Sequence, residues 1–117
     1  MRWTEVISIR ASVDNRRLLT DRLQRLRAEV EAQQLVASML VLQRLAIDTD
    51  LCVCLEHNTD AADPVGSEVA QRLVEALKPY GLVHHSIWIV TPAQGTGPPD
   101  FMAAPPDPST RSKRSNL

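Results

Sequence analysis

The chain has 117 residues and a mass of 13.0 kDa, enough for one ordinary domain and too short for two. It is 44% hydrophobic and 23% charged, as soluble globular domains are, and its 13 basic residues nearly balance its 14 acidic ones. That balance argues against bulk electrostatic binding of nucleic acid. No apolar run approaches the roughly 18 residues of a membrane span, and Met1-Arg2-Trp3-Thr4-Glu5 lacks a signal-peptide core, so neither a membrane nor export is expected. Two cysteines make no disulfide framework, which points to a reduced, cytoplasmic setting.

From Trp3 to Val13 the chain alternates: Ile7, Ile9, Ala11 and Val13 share one side, Thr4, Ser8, Arg10 and Ser12 the other. That period of two predicts a half-buried strand. Asp14-Asn15 then supplies a helix cap, and Leu19, Leu23, Leu26 and Val30 form one apolar stripe on a charged helix ending near Gln33-Gln34. Two aliphatic runs follow, Val36 to Ile47 and Leu51 to His57, with Asp48-Thr49-Asp50 between them as the expected turn of a hairpin. Asp63 or Ser67 can cap a second helix whose inner face is Val69, Leu73, Ala76 and Leu77, and Pro79 and Gly81 end it. Leu82 to Thr91 reads as a fourth strand. The remainder, 92–117, is a Pro-rich tail carrying Pro98-Pro99, Pro105-Pro106 and a small basic cluster of Arg111, Lys113 and Arg114. The domain is therefore expected in residues 1–91.

Strand, helix, strand, strand, helix, strand is satisfied by one antiparallel four-stranded sheet with both helices on one face. That is the ferredoxin-like α+β plan, βαββαβ, with right-handed crossovers. The second face of such a sheet should be polar where water covers it. Here the hairpin is apolar on both parities, with Met39, Val41 and Leu45 opposed by Leu40 and Leu42, and Ile87 and Ile89 are opposed by Trp88 and Val90. Such a surface needs a cover, either a second subunit or the tail.

The hairpin, the helix that begins Gly66-Ser-Glu-Val-Ala-Gln, and the strand Tyr80-Gly-Leu-Val-His-His-Ser-Ile-Trp-Ile-Val90 together resemble the dimeric α/β-barrel superfamily. Within it the chain is similar to antibiotic-biosynthesis-monooxygenase-like and stress-response barrel proteins. The resemblance implies two ferredoxin-like subunits packed sheet against sheet, with a small pocket between sheet and helices in each. The haem-degrading branch combines an Asn, a Trp and a His. This chain has Trp88 with His84 or His85 but no matching Asn on the first strand, so haem oxygenation is not carried over.

Other chemistries of the fold can be tested on residues. Base-stacking RNA readers need aromatics on central strands, where this chain has Leu51-Cys-Val-Cys-Leu55. There is no Gly-rich phosphate loop, no His-Glu-x-x-His and no Gly-x-Ser-x-Gly. Cys52 and Cys54 share one strand face. As thiolates they would need further ligands from His57, which has the wrong parity, His84 or His85, and small hydrophobes is the plainer reading. At i and i+2 on a strand they are also poorly placed for a disulfide.

His84 and His85 face opposite sides of their strand, and either could shuttle a proton near neutral pH, although rim histidines are commonplace. Parity groups His84, Ser86 and Trp88. Arg10 lies on the polar parity of the first strand and needs a carboxylate, for which Glu5, Glu56 or a ligand acid is available. Structural pairing of Arg10 at an interface is the plainer alternative to anion binding. Glu5 breaks the apolar parity of its strand, which places it near the strand end or in a polar pocket. The expectation is thus a homodimer that binds a small apolar molecule as a cofactor-independent monooxygenase or isomerase. His84 and His85 are its catalytic candidates, Arg10, Glu56, Ser86 and Trp88 its ligand-binding candidates, and no metal or other cofactor is expected. The alternative is a non-catalytic oligomerisation or effector-binding module.

Overall fold

The computed structural model describes residues 1–91, so the tail, one of the two expected covers for the sheet, lies outside the described residues. The elements run β1 (Arg2–Ala11), α1 (Arg16–Ala32), β2 (Ser38–Arg44), β3 (Ile47–Asn58), α2 (Glu68–Leu77), a single 3₁₀ turn (Lys78–Tyr80) and β4 (Gly81–Ile89). The strands form one antiparallel sheet in the order β2-β3-β1-β4, the ferredoxin-like plan. Among the described residues no helix is long and apolar enough to cross a membrane.

Side-chain alternation decides which face meets the helices. The odd residues Ile7, Ile9 and Ala11 of β1, with Leu51, Val53 and Leu55 of β3 and Met39 of β2, pack against Leu19, Leu23 and Val30 of α1 and Ala70, Leu73 and Leu77 of α2. The stripe read on α1 is among these contacts; on α2 Leu73 and Leu77 are, but Ala70 is the buried residue of the first turn, Val69 packs only partly buried against the core, and Ala76 is outside it. Val13 lies past the end of β1 and is exposed. Ser67 caps α2, its side chain accepting from the Ala70 N–H, whereas Asn15 precedes α1 without a side-chain cap bond.

The hairpin differs from expectation. Its turn is Leu45-Ala46, and Asp48-Thr49-Asp50 lie inside β3. Gln43 faces Leu51 while the next residue, Arg44, faces Ile47, so the three polar residues form a bulge with no paired residue opposite them on β2. Its two aspartates are paired with arginines: Arg16 binds Asp48 and Arg10 binds Asp50 from elsewhere in the chain, and Arg44 binds Asp50 from across the hairpin. The turn is left to Ala46 at φ 68°, a left-handed backbone that costs a residue with a Cβ roughly 1–2 kcal/mol. Gly81 is needed for a different reason, since a Cβ there would run into the Arg10 carbonyl oxygen where β4 begins to pair with β1.

Even-numbered side chains of the central strands form the uncovered face in register rows. Leu40, Cys54, Val6 and Ser86 make one row; Leu42, Cys52, Ser8 and His84 the next. Glu56, Thr4 and Trp88 lie toward one end, Asp50, Arg10 and Leu82 toward the other. Leu40, Leu42, Leu82 and Trp88 are all exposed. Replacing Ala46 by glycine should relieve the turn and raise stability by roughly 0.5–1 kcal/mol after glycine's own entropy cost. A urea denaturation series showing a loss of stability instead would place the turn elsewhere.

Candidate functional site

Two polar centres sit on opposite faces of the sheet. On the helix side, Glu5 interrupts the apolar parity of β1 and is completely buried. Each of its oxygens has two partners. Oε1 accepts from the Ser67 backbone N–H at 2.9 Å and meets His85 Nε2 at 3.0 Å. Oε2 accepts from the Ser67 hydroxyl at 2.5 Å and meets His57 Nε2 at 2.6 Å. Ser67 caps α2, so the carboxylate also lies against the positive end of that helix.

The surroundings of this carboxylate are built tightly. His57 continues the inner parity of β3 and stacks on Trp3, with ring centroids 4.1 Å apart. Trp3 in turn donates its indole N–H to the Thr59 hydroxyl at 2.8 Å. Gly66 has φ +92°, and a Cβ on it would lie 2.6 Å from Glu5 Oε1 and collide with the His85 ring. Burial pushes the Glu5 carboxyl upward. The hydrogen bonds from the Ser67 hydroxyl, the Ser67 N–H, His57 and His85 outweigh it and hold the group below its usual value of 4.5. His85 is the outlet of the cluster: its side chain is 20% exposed, against 5% for His57 and none for Glu5.

On the uncovered face a depression of about 450 Å³ lies at the bulged end of the sheet. Leu42 and Leu82 give it apolar walls, and Ser8, Cys52 and His84 line it between them. At its end Asp50 accepts from Arg10 Nε at 3.1 Å and from Arg44 Nη1 at 3.2 Å. Those two guanidiniums hold the Asp50 carboxyl below its usual 3.8. Two cations share one anion, so this corner carries one net positive charge. Burial, together with the neighbouring Cys54, raises the Cys52 thiol to about 11, so it is protonated at neutral pH and is neither a nucleophile nor a ready metal ligand. The two sulfurs are 3.9 Å apart as free thiols. Among the described residues no three His, Cys, Asp or Glu side chains converge to hold a metal ion.

The expected residues therefore divide. Arg10, Glu56, His84, Ser86 and Trp88 all project from the uncovered face, while His85 lies on the helix side. Arg10 and His84 line the depression. Glu56 and Trp88 flank Thr4 at the other end of the face, outside that lining, and the Trp88 indole donates to the Ser86 hydroxyl at 2.8 Å. The carboxylate paired with Arg10 is Asp50, neither Glu5 nor Glu56, the two side chains the sequence offers beside a ligand acid. Glu5 could not reach Arg10, because odd and even residues of one strand face apart. Glu5 itself occupies the polar pocket that its broken parity announced. Its association with His57 and Ser67 had no local signal, since those residues come from two other elements.

No protein-family model matches the chain, and no curated protein does. Among solved structures, that of Rv0793 from Mycobacterium tuberculosis superposes with a TM-score of 0.59. The match covers 83% of this chain and 100% of that one at 13% sequence identity. The likeness is one of fold, and it agrees with the ferredoxin-like α+β layout traced above.

Replacing Glu5 by glutamine turns one acceptor oxygen into a donor facing histidine and serine donors, so about 3–5 kcal/mol of stability should be lost. The pH dependence has a defined sign. Because the folded-state value is depressed, the contribution of Glu5 is complete above its unfolded value near 4.5 and is lost as pH falls through the lower folded one. Urea midpoints between pH 7 and pH 3 should therefore fall less steeply in Glu5→Gln than in the parent. Parallel curves would contradict that account of the carboxylate.

Proposed function

We propose that the chain is a homodimeric α/β-barrel protein that binds a small, largely apolar molecule in the depression on its uncovered sheet face. The observation that carries this reading is the depression itself. Its volume of about 450 Å³ falls in the range of ligand sites, and Arg10, Arg44, Asp50 and His84 converge on it beside apolar walls. His84 brings an imidazole to the depression, the kind of side chain that accepts or donates a proton in a cofactor-independent monooxygenase or isomerase.

The exposed aliphatic and aromatic side chains at the other end of the face support the second subunit. Leu40 and Trp88 are 44% and 61% exposed, and Val6 lies between their strands. At about 25 cal/mol per Å², covering on the order of 500 Å² of such surface yields roughly 12 kcal/mol of gross driving force before association costs. Two-fold symmetry lets this patch pack on its own copy while the depression stays at the mouth of the interface. A second reading is favoured by one observation, the partly exposed imidazole of His85 held by a buried carboxylate. Proton transfer would then occur on the helix side.

Sedimentation equilibrium at micromolar concentration should give twice the 13.0 kDa chain mass, and Leu40→Asp should halve it. A parent sedimenting at the single-chain mass would remove the dimer. In a thermal-shift screen of apolar small molecules, binders should protect the parent and lose that protection in His84→Gln or Leu42→Asp. A binder present at 100 times its dissociation constant adds about 2.7 kcal/mol of stability. Binders that respond to His85→Gln and ignore His84→Gln would move the site to the helix side.

A further inference from the structure

The corner of the depression has a charge arrangement that selects among small molecules. Asp50 satisfies only one N–H of each guanidinium: Nε of Arg10 and Nη1 of Arg44. Among the described residues no other acceptor takes the remaining donors of either group, and each arginine is more than half exposed at 68% and 60%, while Asp50 is tucked beneath them at 17%. A guanidinium offers five donors in a rigid fork that fits a carboxylate side-on. Two such forks, fixed by one aspartate and left with one surplus positive charge, form a ready clamp for one more carboxylate. The walls next to that clamp are Leu42 and Leu82, with the Cys52 thiol uncharged between them. A charged head and an apolar body are thus asked for side by side.

We infer that the ligand of this site is an amphiphilic carboxylate, its acid group clamped by Arg10 and Arg44 and its hydrocarbon body lying along Leu42 and Leu82. The inference rests on the depression being the binding site and adds the chemical class of what it takes. It also gives Asp50 a role beyond ion pairing. It holds the two arginines in position and competes with the ligand for their donors, so it sets the affinity below its ceiling.

Isothermal titration of the full-length protein with octanoate and with 1-octanol separates the two layers of this account. The parent should bind octanoate at least tenfold more tightly than octanol. Arg10→Gln/Arg44→Gln should bring the two affinities to within about twofold by weakening octanoate. Arg44→Gln alone, which leaves the Arg10–Asp50 pair in place, should weaken octanoate at least threefold. Asp50→Asn should tighten octanoate severalfold by releasing donors, the opposite of what loss of a merely structural ion pair would do. Equal binding of acid and alcohol by the parent would overturn the carboxylate clamp while leaving the small-molecule site in place. Failure of both to bind would overturn the clamp and the depression as a ligand site together. Weaker octanoate binding by Asp50→Asn would overturn the competitive role of Asp50.

Discussion

The buried Glu5 carboxylate organises the rest of the molecule. A lone charge at that depth would be prohibitively unfavourable, and it is tolerated only because four donors from three elements converge on it. Meeting that requirement fixes where the N-terminus of α2 rests, why residue 66 has no side chain, and how β3 and β4 flank β1 at this level. The apolar contacts of Leu73 and Leu77 hold α2 against the sheet, but such contacts are not directional. The carboxylate supplies direction.

Saturation has a functional consequence. With both oxygens fully engaged and the φ +92° glycine closing the loop above them, the Glu5 cluster itself is reachable only at the edge of His85. The opposite face has the reverse character. Its charges are paired incompletely, two arginines to one aspartate, its aliphatic side chains lack cover, and the bulge in β3 sets the arginines beside a concave surface. One face of the sheet is thus closed by a complete network and the other left open by an incomplete one, and it is on the open face that the proposed binding site lies.

Much of this was legible in the sequence, and the exceptions have physical causes. Alternation in β1 and the leucine stripes of α1 and α2 are local signals, and they placed the elements, the core and the facing of Arg10, His84, Ser86 and Trp88. Asp48-Thr49-Asp50 carries the signal of a turn, because a polar triplet between apolar runs looks the same whether it reverses the chain or bulges from it. What decides is Arg16 and Arg10, more than 30 residues earlier. Glu5 announced a polar pocket by breaking parity, yet its partners at positions 57, 67 and 85 meet only once the strand order β2-β3-β1-β4 is known. The Arg10–Asp50 pair was hidden for the same reason, since the register that sets them opposite each other is a property of the sheet.

The division between the two faces can be read directly from the three histidines of the chain, because His84 belongs to one face and His57 and His85 to the other. The most direct measurement is the imidazole ¹H–¹⁵N spectrum of the full-length protein during addition of octanoate at constant pH. The His84 resonances should shift progressively to saturation while those of His57 and His85 stay in place. Shifts confined to His85 and His57, with His84 unmoved, would contradict this and put the binding chemistry on the side of the buried carboxylate.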